Sequence, residues 1–268
     1  MIPNSRTAAP PSDETKAQGR QWSRHAVKYD EVFLDPFRPG VVNPIPGAIR
    51  AIKGAKAKAA IDLGCGTGPL LPLLVERFGA VHALDFAPGM IRRARERLGD
   101  QADRVEFLAR TMDDLADLEG RFDLAVAINS LVMPDVRDID RTLRAIYKAL
   151  KPGGVFMGVV PSIDAIHYHT MLLYDRELDK GVDLEEAERL GAFHGEHRYY
   201  EFAFGRFVFQ GLRQKFWQPF ELEYRLKRAG FASVELDRVL YPWDDHVPGG
   251  EAFADHPPSW DWSFTARP

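Results

Sequence analysis

Asp62, Gly64, Gly66, Gly68 and Asp85 form the part of this chain best suited to holding a ligand. Three glycines alternate in Gly64-Cys65-Gly66-Thr67-Gly68, directly after the apolar run Ala59 to Leu63, which reads as a buried strand. Glycine is required where backbone takes unusual dihedrals or lies against a ligand with no side chain between. The residues beyond, Pro69 to Val75, start a helix, since proline at an early helical position gives up no hydrogen bond. A strand, a glycine turn and a helix N-terminus together form a ligand cradle beyond the strand ends of an open parallel sheet. The plain alternative is a tight connection in an α/β domain. Asp85 ends a second short strand, Val81 to Leu84, where a carboxylate can accept the hydroxyls of an adenosine ribose. The spacing argues against a nicotinamide-dinucleotide fingerprint, because its third glycine or alanine falls here at Pro69.

The order Asp62, Gly64, Gly66, Gly68 resembles motif I of the class I S-adenosylmethionine (SAM)-dependent methyltransferases. The following Asp85-Phe86-Ala87-Pro88-Gly89-Met90-Ile91 is similar to that family's run of acid, hydrophobe, small residue, proline, any residue, methionine. The resemblance implies that Phe86 and Met90 flank the adenine, although a methionine in a helix also serves as core filler. After a third strand, Val105 to Leu108, Thr111 stands where the family usually has an aspartate facing the adenine amino group. A neutral hydroxyl accepts that bond more weakly, and Asp113 or Asp114 offers the acid instead. A fourth strand, Phe122 to Ile128, ends at Asn129-Ser130, where the family places the methionine part of the cofactor and the acceptor. The Asn-Pro-Pro-aromatic signature of enzymes that methylate planar amides and base amines is absent. A helix from Leu143 to Leu150 is expected to stop at Lys151-Pro152-Gly153-Gly154 before a fifth strand, Val155 to Val160.

The resemblance covers about residues 22 to 160 and returns at Leu226 to Phe231 and Trp260 to Ala266. It implies an α/β fold: a doubly wound, seven-stranded, mostly parallel sheet of the Rossmann-like methyltransferase kind. The last strand, Trp260 to Ala266, would be antiparallel, and a cap would be inserted after strand five. The implied cofactor is SAM, held by Asp62, Gly64, Cys65, Gly66, Gly68, Asp85, Phe86, Met90, Thr111, Met112, Asn129 and Tyr29.

Composition agrees with one domain. A chain of 268 residues, 45% of them apolar, buries one substantial core. No apolar run approaches the ~18 residues of a membrane span, and no secretory leader is read at the start. The single cysteine, Cys65, precludes an internal disulfide and fits a reducing, cytoplasmic setting. A net charge of −4 without a basic stripe disfavours a nucleic-acid partner.

Residues 1–20 are rich in proline, serine and alanine and are expected to be disordered, with the single domain running over 21–268. The segment Trp22 to Asp30 looks like the leading helix that closes over the cofactor in small-molecule methyltransferases, making Trp22 and Tyr29 lid candidates or simple staples. Residues 161–220 exceed a plain connection and read as a substrate cap: helices over Asp164 to Asp179 and Leu184 to Leu190, and a hairpin over Arg198 to Phe209. Their aromatic density suits either a small apolar or aromatic acceptor or a core of the cap's own. His167, His169, His194 and His197 are candidates for a general base taking a proton from the acceptor, each also readable as a surface or structural residue. No cysteine or Glu-x-x-His pattern supports a metal site. Tyr241 to His246 is expected to border the pocket.

The reaction expected from these readings is displacement at the sulfonium methyl by an oxygen, nitrogen or carbon nucleophile of a small molecule, driven largely by alignment. Two other classes fit the same cofactor motifs: a non-catalytic SAM-binding or regulatory protein, and a methyltransferase acting on protein or RNA.

Overall fold

Apolar strands that alternate their burial between two faces organise the molecule. In the computed structural model, which describes residues 34–191, 200–209, 212–247 and 249–268, Ile61 and Leu63 pack on one side of the first strand while Ala60 packs on the other. The seven strands of the main sheet are β1 (Ala59–Leu63), β2 (Ala80–Leu84), β3 (Val105–Leu108), β4 (Phe122–Ile128), β5 (Leu150–Val160), β9 (Ser233–Tyr241) and β10 (Ser259–Arg267). They lie in the order β3-β2-β1-β4-β5-β10-β9. Strands β1 to β5 are mutually parallel, and β10 runs antiparallel to both of its neighbours. This is the expected doubly wound sheet with its reversed strand, and its order changes direction at β1, where ligands bind such sheets.

Helices cover both faces. On one side lie α1 (Pro44–Arg50), α2 (Leu71–Arg77) and α3 (Pro88–Leu98), whose Ile45, Ile49, Leu71, Leu74 and Ala94 join Val81, Leu124 and Val126 of the sheet. On the other lie α4 (Val136–Ala149) and α7 (Pro219–Ala229). Ile139, Leu143 and Ile146 recur along α4 at helical spacing and meet Leu222 and Leu226 of α7 over Phe156 and Phe264. Asp135 caps α4 by accepting from the Arg137 backbone N–H, at 2.8 Å.

Two local expectations are revised. The helix expected to continue over Leu143 to Leu150 runs from Val136 and ends at Ala149, one residue early. The fifth strand starts at Leu150, not Val155: Leu150 pairs with Phe122 and Val155 with Leu124, so the residues between bulge out of the ladder. Gly153, at φ +76°, makes that excursion possible.

Between β5 and α7 the chain forms α5 (Ile163–Asp179), α6 (Leu184–Gly191) and a small antiparallel sheet of β6 (Tyr200–Glu201), β7 (Arg206–Phe209) and β8 (Leu212–Lys215). Both helices fall close to their expected bounds. The hairpin exists between β6 and β7, and β8 adds a strand that the alternation did not indicate. Ser162 caps α5 by accepting from the Ala165 N–H, at 3.1 Å. The leading segment with Trp22 and Tyr29, and the residues Phe193, His194, His197 and Tyr199, lie outside the described residues.

Candidate functional site

The three glycines after β1 are required for three different reasons. Each has positive φ, +68° at Gly64, +54° at Gly66 and +76° at Gly68. A Cβ on Gly64 would stand 2.4 Å from Ser130 Cβ, and Ser130 is itself held by donating to the Leu63 carbonyl at 2.7 Å. A Cβ on Gly68 would meet Leu71 Cδ1 at 2.9 Å and Ala94 Cβ at 3.0 Å, so Gly68 lets α2 and α3 approach the turn. A Cβ on Gly66 would meet nothing within 4 Å. It would project into open space, so Gly66 is the one of the three where an added side chain would meet no neighbour.

Beside this turn is a recess open to solvent at the carboxyl ends of β1 and β4. Asp62, Gly64, Cys65, Gly66 and Asn129, five of the residues assigned to the cofactor from the sequence, line it. Leu34, Asp35, Pro36, Thr67, Pro69, Leu70 and Ile128 complete the wall. Among the described residues, Asp35 and Asp62 are the carboxylates of this lining, and no lysine or arginine takes part. Residues 34 to 36 carried no motif. They reach the recess because the strand-like contact of Val42 with Leu240 and the paired hydrogen bonds of Arg38 to Asp244, at 2.6 and 3.1 Å, strap this segment across the sheet end.

Asp62 is 2% exposed, and burial, reinforced by the charge of Asp85, raises its pKa to about 7. Asp85 is 6% exposed and sits behind the glycine turn. Its Oδ2 accepts the Gly66 N–H at 3.0 Å and its Oδ1 the Ala87 N–H at 2.8 Å. Burial raises its pKa to about 6, and these two bonds oppose the rise. Asp85 thus ties the turn after β1 to the start of α3, with lone pairs left over for a ligand hydroxyl. Cys65 is buried, its thiol pushed up by burial and by both carboxylates, which makes it an inert filler.

On the α3 side, Met90 is buried in the first turn of the helix and Phe86 is half-buried just before it. Thr111 and Met112 are half-buried, and Met112 Sδ lies 3.6 Å from the point a Gly64 Cβ would occupy. Met112 borders the same turn, but Phe86, Met90, Thr111 and Met112, like Gly68 and Asp85, do not line the recess.

Asn129 takes φ +49°, the only positive φ among the described non-glycine residues, with its N–H bonded to the Val159 carbonyl at 2.8 Å. Such strain in a side-chain-bearing residue persists only where its surroundings enforce it. Its Nδ2 donates to Asp261 Oδ2 at 3.4 Å, and Oδ1 is buried without a partner among the described residues. Asp261, at the start of β10, also accepts from Tyr241 Oη at 2.8 Å and from the Ser162 N–H at 3.3 Å. Burial raises its pKa to about 6. Asp261 was assigned no role from the sequence, and Tyr241 was read only as part of a stretch bordering the pocket. No local pattern marks them, because β9 and β10 bring them to Asn129 only in the folded sheet.

The two described candidate histidines, His167 and His169, fall elsewhere. His169 is buried in an aromatic cluster, its ring 5.0 Å from Trp243 and 5.8 Å from Phe253. His167 is half-buried on the same helix, with its pKa lowered by burial. Neither lines the recess. Trp243 and Phe253 pack with Leu172 and Val247, joining α5 to the connection between β9 and β10, so this aromatic group forms a core of its own. Trp217 belongs to the main core and donates to the Leu131 carbonyl at 2.7 Å.

Comparisons with known proteins agree with this geometry. Residues 60–154 match a family model described as a methyltransferase domain. The highly reducing polyketide synthase easB of Emericella nidulans is 33% identical over 202 residues, 71% of this chain but 7% of that protein. The ubiquinone biosynthesis O-methyltransferase of Azorhizobium caulinodans is 28% identical over 225 residues, covering 84% of this chain and 78% of that one. The chain spans only 7 to 34% of the length of four other curated relatives, easB included. Among solved structures, the Burkholderia thailandensis 1,6-didemethyltoxoflavin-N1-methyltransferase, with bound 1,6-didemethyltoxoflavin and S-adenosylhomocysteine, aligns with a TM-score of 0.59 at 20% identity. That alignment covers 100% of this chain and 97% of the other. Residues 60–154 thus carry a methyltransferase domain, and the chain shares its fold with solved structures of S-adenosylmethionine-dependent methyltransferases.

Proposed function

We propose that this protein transfers the methyl group of SAM to a nucleophilic atom of a small molecule. The observation that carries the reading is the recess bordered by the bare backbone of Gly66, whose described lining holds the carboxyl groups of Asp35 and Asp62 and no lysine or arginine. A ligand that fits it presents positive charge and N–H donors and approaches main chain closely, as the sulfonium and ammonium of SAM would. The orphaned Oδ1 of Asn129 supplies a further acceptor at the same wall. SAM, once bound, supplies an electrophilic methyl.

The chain's own contribution is to bind and orient. Asp62 and Asn129 are assigned to the methionine end, Asp85 to the ribose hydroxyls, and Phe86, Met90, Thr111 and Met112 to the adenine side. Asp35 and Pro36, strapped in place by Arg38 and Asp244, narrow the mouth and limit water around the reacting atoms. Alignment of this kind supplies much of the rate of a displacement reaction without an obligatory acid or base. Residues 161–220 are assigned as the cap over the acceptor. Two side chains tie α5 to the sheet end: Trp262 Nε1 donates to Asp164 at 3.2 Å, and Tyr168 Oη donates to the Pro257 carbonyl at 3.3 Å.

Calorimetry with SAM, S-adenosylhomocysteine and NAD tests the cofactor assignment. Micromolar binding of the first two and none of NAD is expected; NAD binding without SAM binding overturns it. Methyl transfer from labelled SAM to a panel of small phenols, amines and acids, set against a protein and an RNA panel, tests the acceptor class.

A further inference from the structure

Asn129 has one feature that the cofactor assignment does not explain. Its backbone is pinned in a left-handed conformation, yet nothing in β4 decides which way its amide faces. An amide can present either its oxygen or its nitrogen to the recess, and the two have opposite chemistry. What decides between them is the carboxylate of Asp261. An ionised carboxylate only accepts, so it draws Nδ2 toward itself, at 3.4 Å, and the oxygen is left on the other side of the group.

Asp261 is suited to this task because it is itself immobilised. Its Oδ2 also takes the Tyr241 hydroxyl at 2.8 Å, and its Oδ1 takes the Ser162 N–H at 3.3 Å, so both oxygens are fixed from β9 and from the end of β5. Among the described residues no lysine or arginine pairs with it. The carboxylate therefore keeps its attraction for the Asn129 N–H rather than spending it on a cation.

We infer that Asp261 is a positioning residue for SAM binding: it orients the Asn129 amide so that Oδ1 accepts a hydrogen bond from the ammonium end of the methyl donor. This rests on the cofactor assignment above and adds to it a residue on the antiparallel edge, 132 positions away in the chain.

The test is a double-mutant cycle on the full chain, read as SAM and S-adenosylhomocysteine affinity by calorimetry, with thermal denaturation alongside. Asn129→Ala is expected to weaken both ligands about tenfold, and Asp261→Asn roughly fivefold. The double variant is expected to bind no worse than Asn129→Ala alone, because Asp261 acts through Asn129. Losses that multiply, or an Asp261→Asn protein that binds like the parent, overturn the inference. Asn129→Asp gives a reading that does not depend on Asp261→Asn folding. It keeps an oxygen for the ammonium but loses the Nδ2 donor, so it is expected to bind SAM no better than Asn129→Ala. SAM affinity at or above the parent's in Asn129→Asp overturns the inference. A parent that binds neither ligand overturns the functional reading and this inference with it; a parent that binds, with multiplying losses, overturns this inference alone.

Discussion

Asp85 and Asp261 are both buried carboxylates near the ligand end of the sheet, and they are held in opposite ways. Asp85 takes backbone N–H groups from the turn after β1 and from the start of α3. Of the three donors on Asp261, two are side chains, Tyr241 on β9 and Asn129 after β4; the third is the Ser162 N–H. Backbone donors are present whatever the side chains, so the first arrangement depends on glycine conformations and short chain distances. The second depends on particular side chains brought together by distant strands. The parallel half of the sheet therefore builds its ligand cradle from main chain, and the antiparallel edge trims that cradle with side chains.

The contrast is broken most directly within the glycine turn. Gly66→Val is expected to lower SAM affinity more than a hundredfold, since its side chain enters the recess, while stability falls by only about 1–2 kcal/mol for a left-handed backbone. Gly64→Ala should do the reverse in kind, costing stability through the Ser130 clash. Calorimetry and thermal denaturation on the pair separate the two, and equal binding losses at similar stability would erase the distinction drawn between these glycines.

Asp62 offers the next largest effect, through pH. Its folded pKa of about 7 lies above the usual carboxylate value of 3.8, so the folded protein retains a proton that the unfolded chain has lost. The stability associated with that proton is full below about pH 4 and is lost as pH rises to about 7, by up to about 4 kcal/mol. Asp62→Asn should flatten this fall in the ligand-free protein and raise its melting temperature above pH 7, while weakening SAM. Melting curves between pH 4 and 8 check it; an unchanged slope would mean that Asp62 does not carry this proton.

On the strap, Arg38→Ala is expected to cost about 1–2 kcal/mol, since its bidentate partner Asp244 is partly buried, and to weaken SAM by a few fold. Urea titration and calorimetry measure the two together, and an effect on stability alone would remove the strap from the site. Smallest is Thr111→Val, expected to lower SAM affinity by less than about tenfold because a neutral hydroxyl contributes roughly 0.5–1.5 kcal/mol. Met90→Ala should match or exceed it. A hundredfold loss at Thr111 would reverse that ranking.

How far the sequence could be read follows the same division. The alternation of Gly64, Gly66 and Gly68 after an apolar strand is local, and its turn is where the recess lies. Asp62, Gly64, Cys65, Gly66 and Asn129 were all legible and all line it. Gly64 and Gly68 were legible as glycines, but their purpose was not, because it depends on Ser130 and Ala94 across the packing. Asp35 and Asp261 were missed, since each reaches the site through a strap or a reversed strand that leaves no spacing signal; Tyr241 was read only as bordering the pocket, without its bond to Asp261. His169 drew attention for its type, yet its ring is packed among aromatics that only tertiary structure assembles.

The reversal of β10 separates two kinds of change. Because that strand begins at the carboxyl end of β5, the connection between β9 and β10 leaves and re-enters the sheet at the ligand end, where its Asp244 holds Arg38 of the strap. Residues added to or removed from this connection would leave the register of β1 through β5 intact. The shape of the entrance can thus be remodelled while the cradle under it stays fixed. That freedom lets one donor-binding frame be fitted with different doorways.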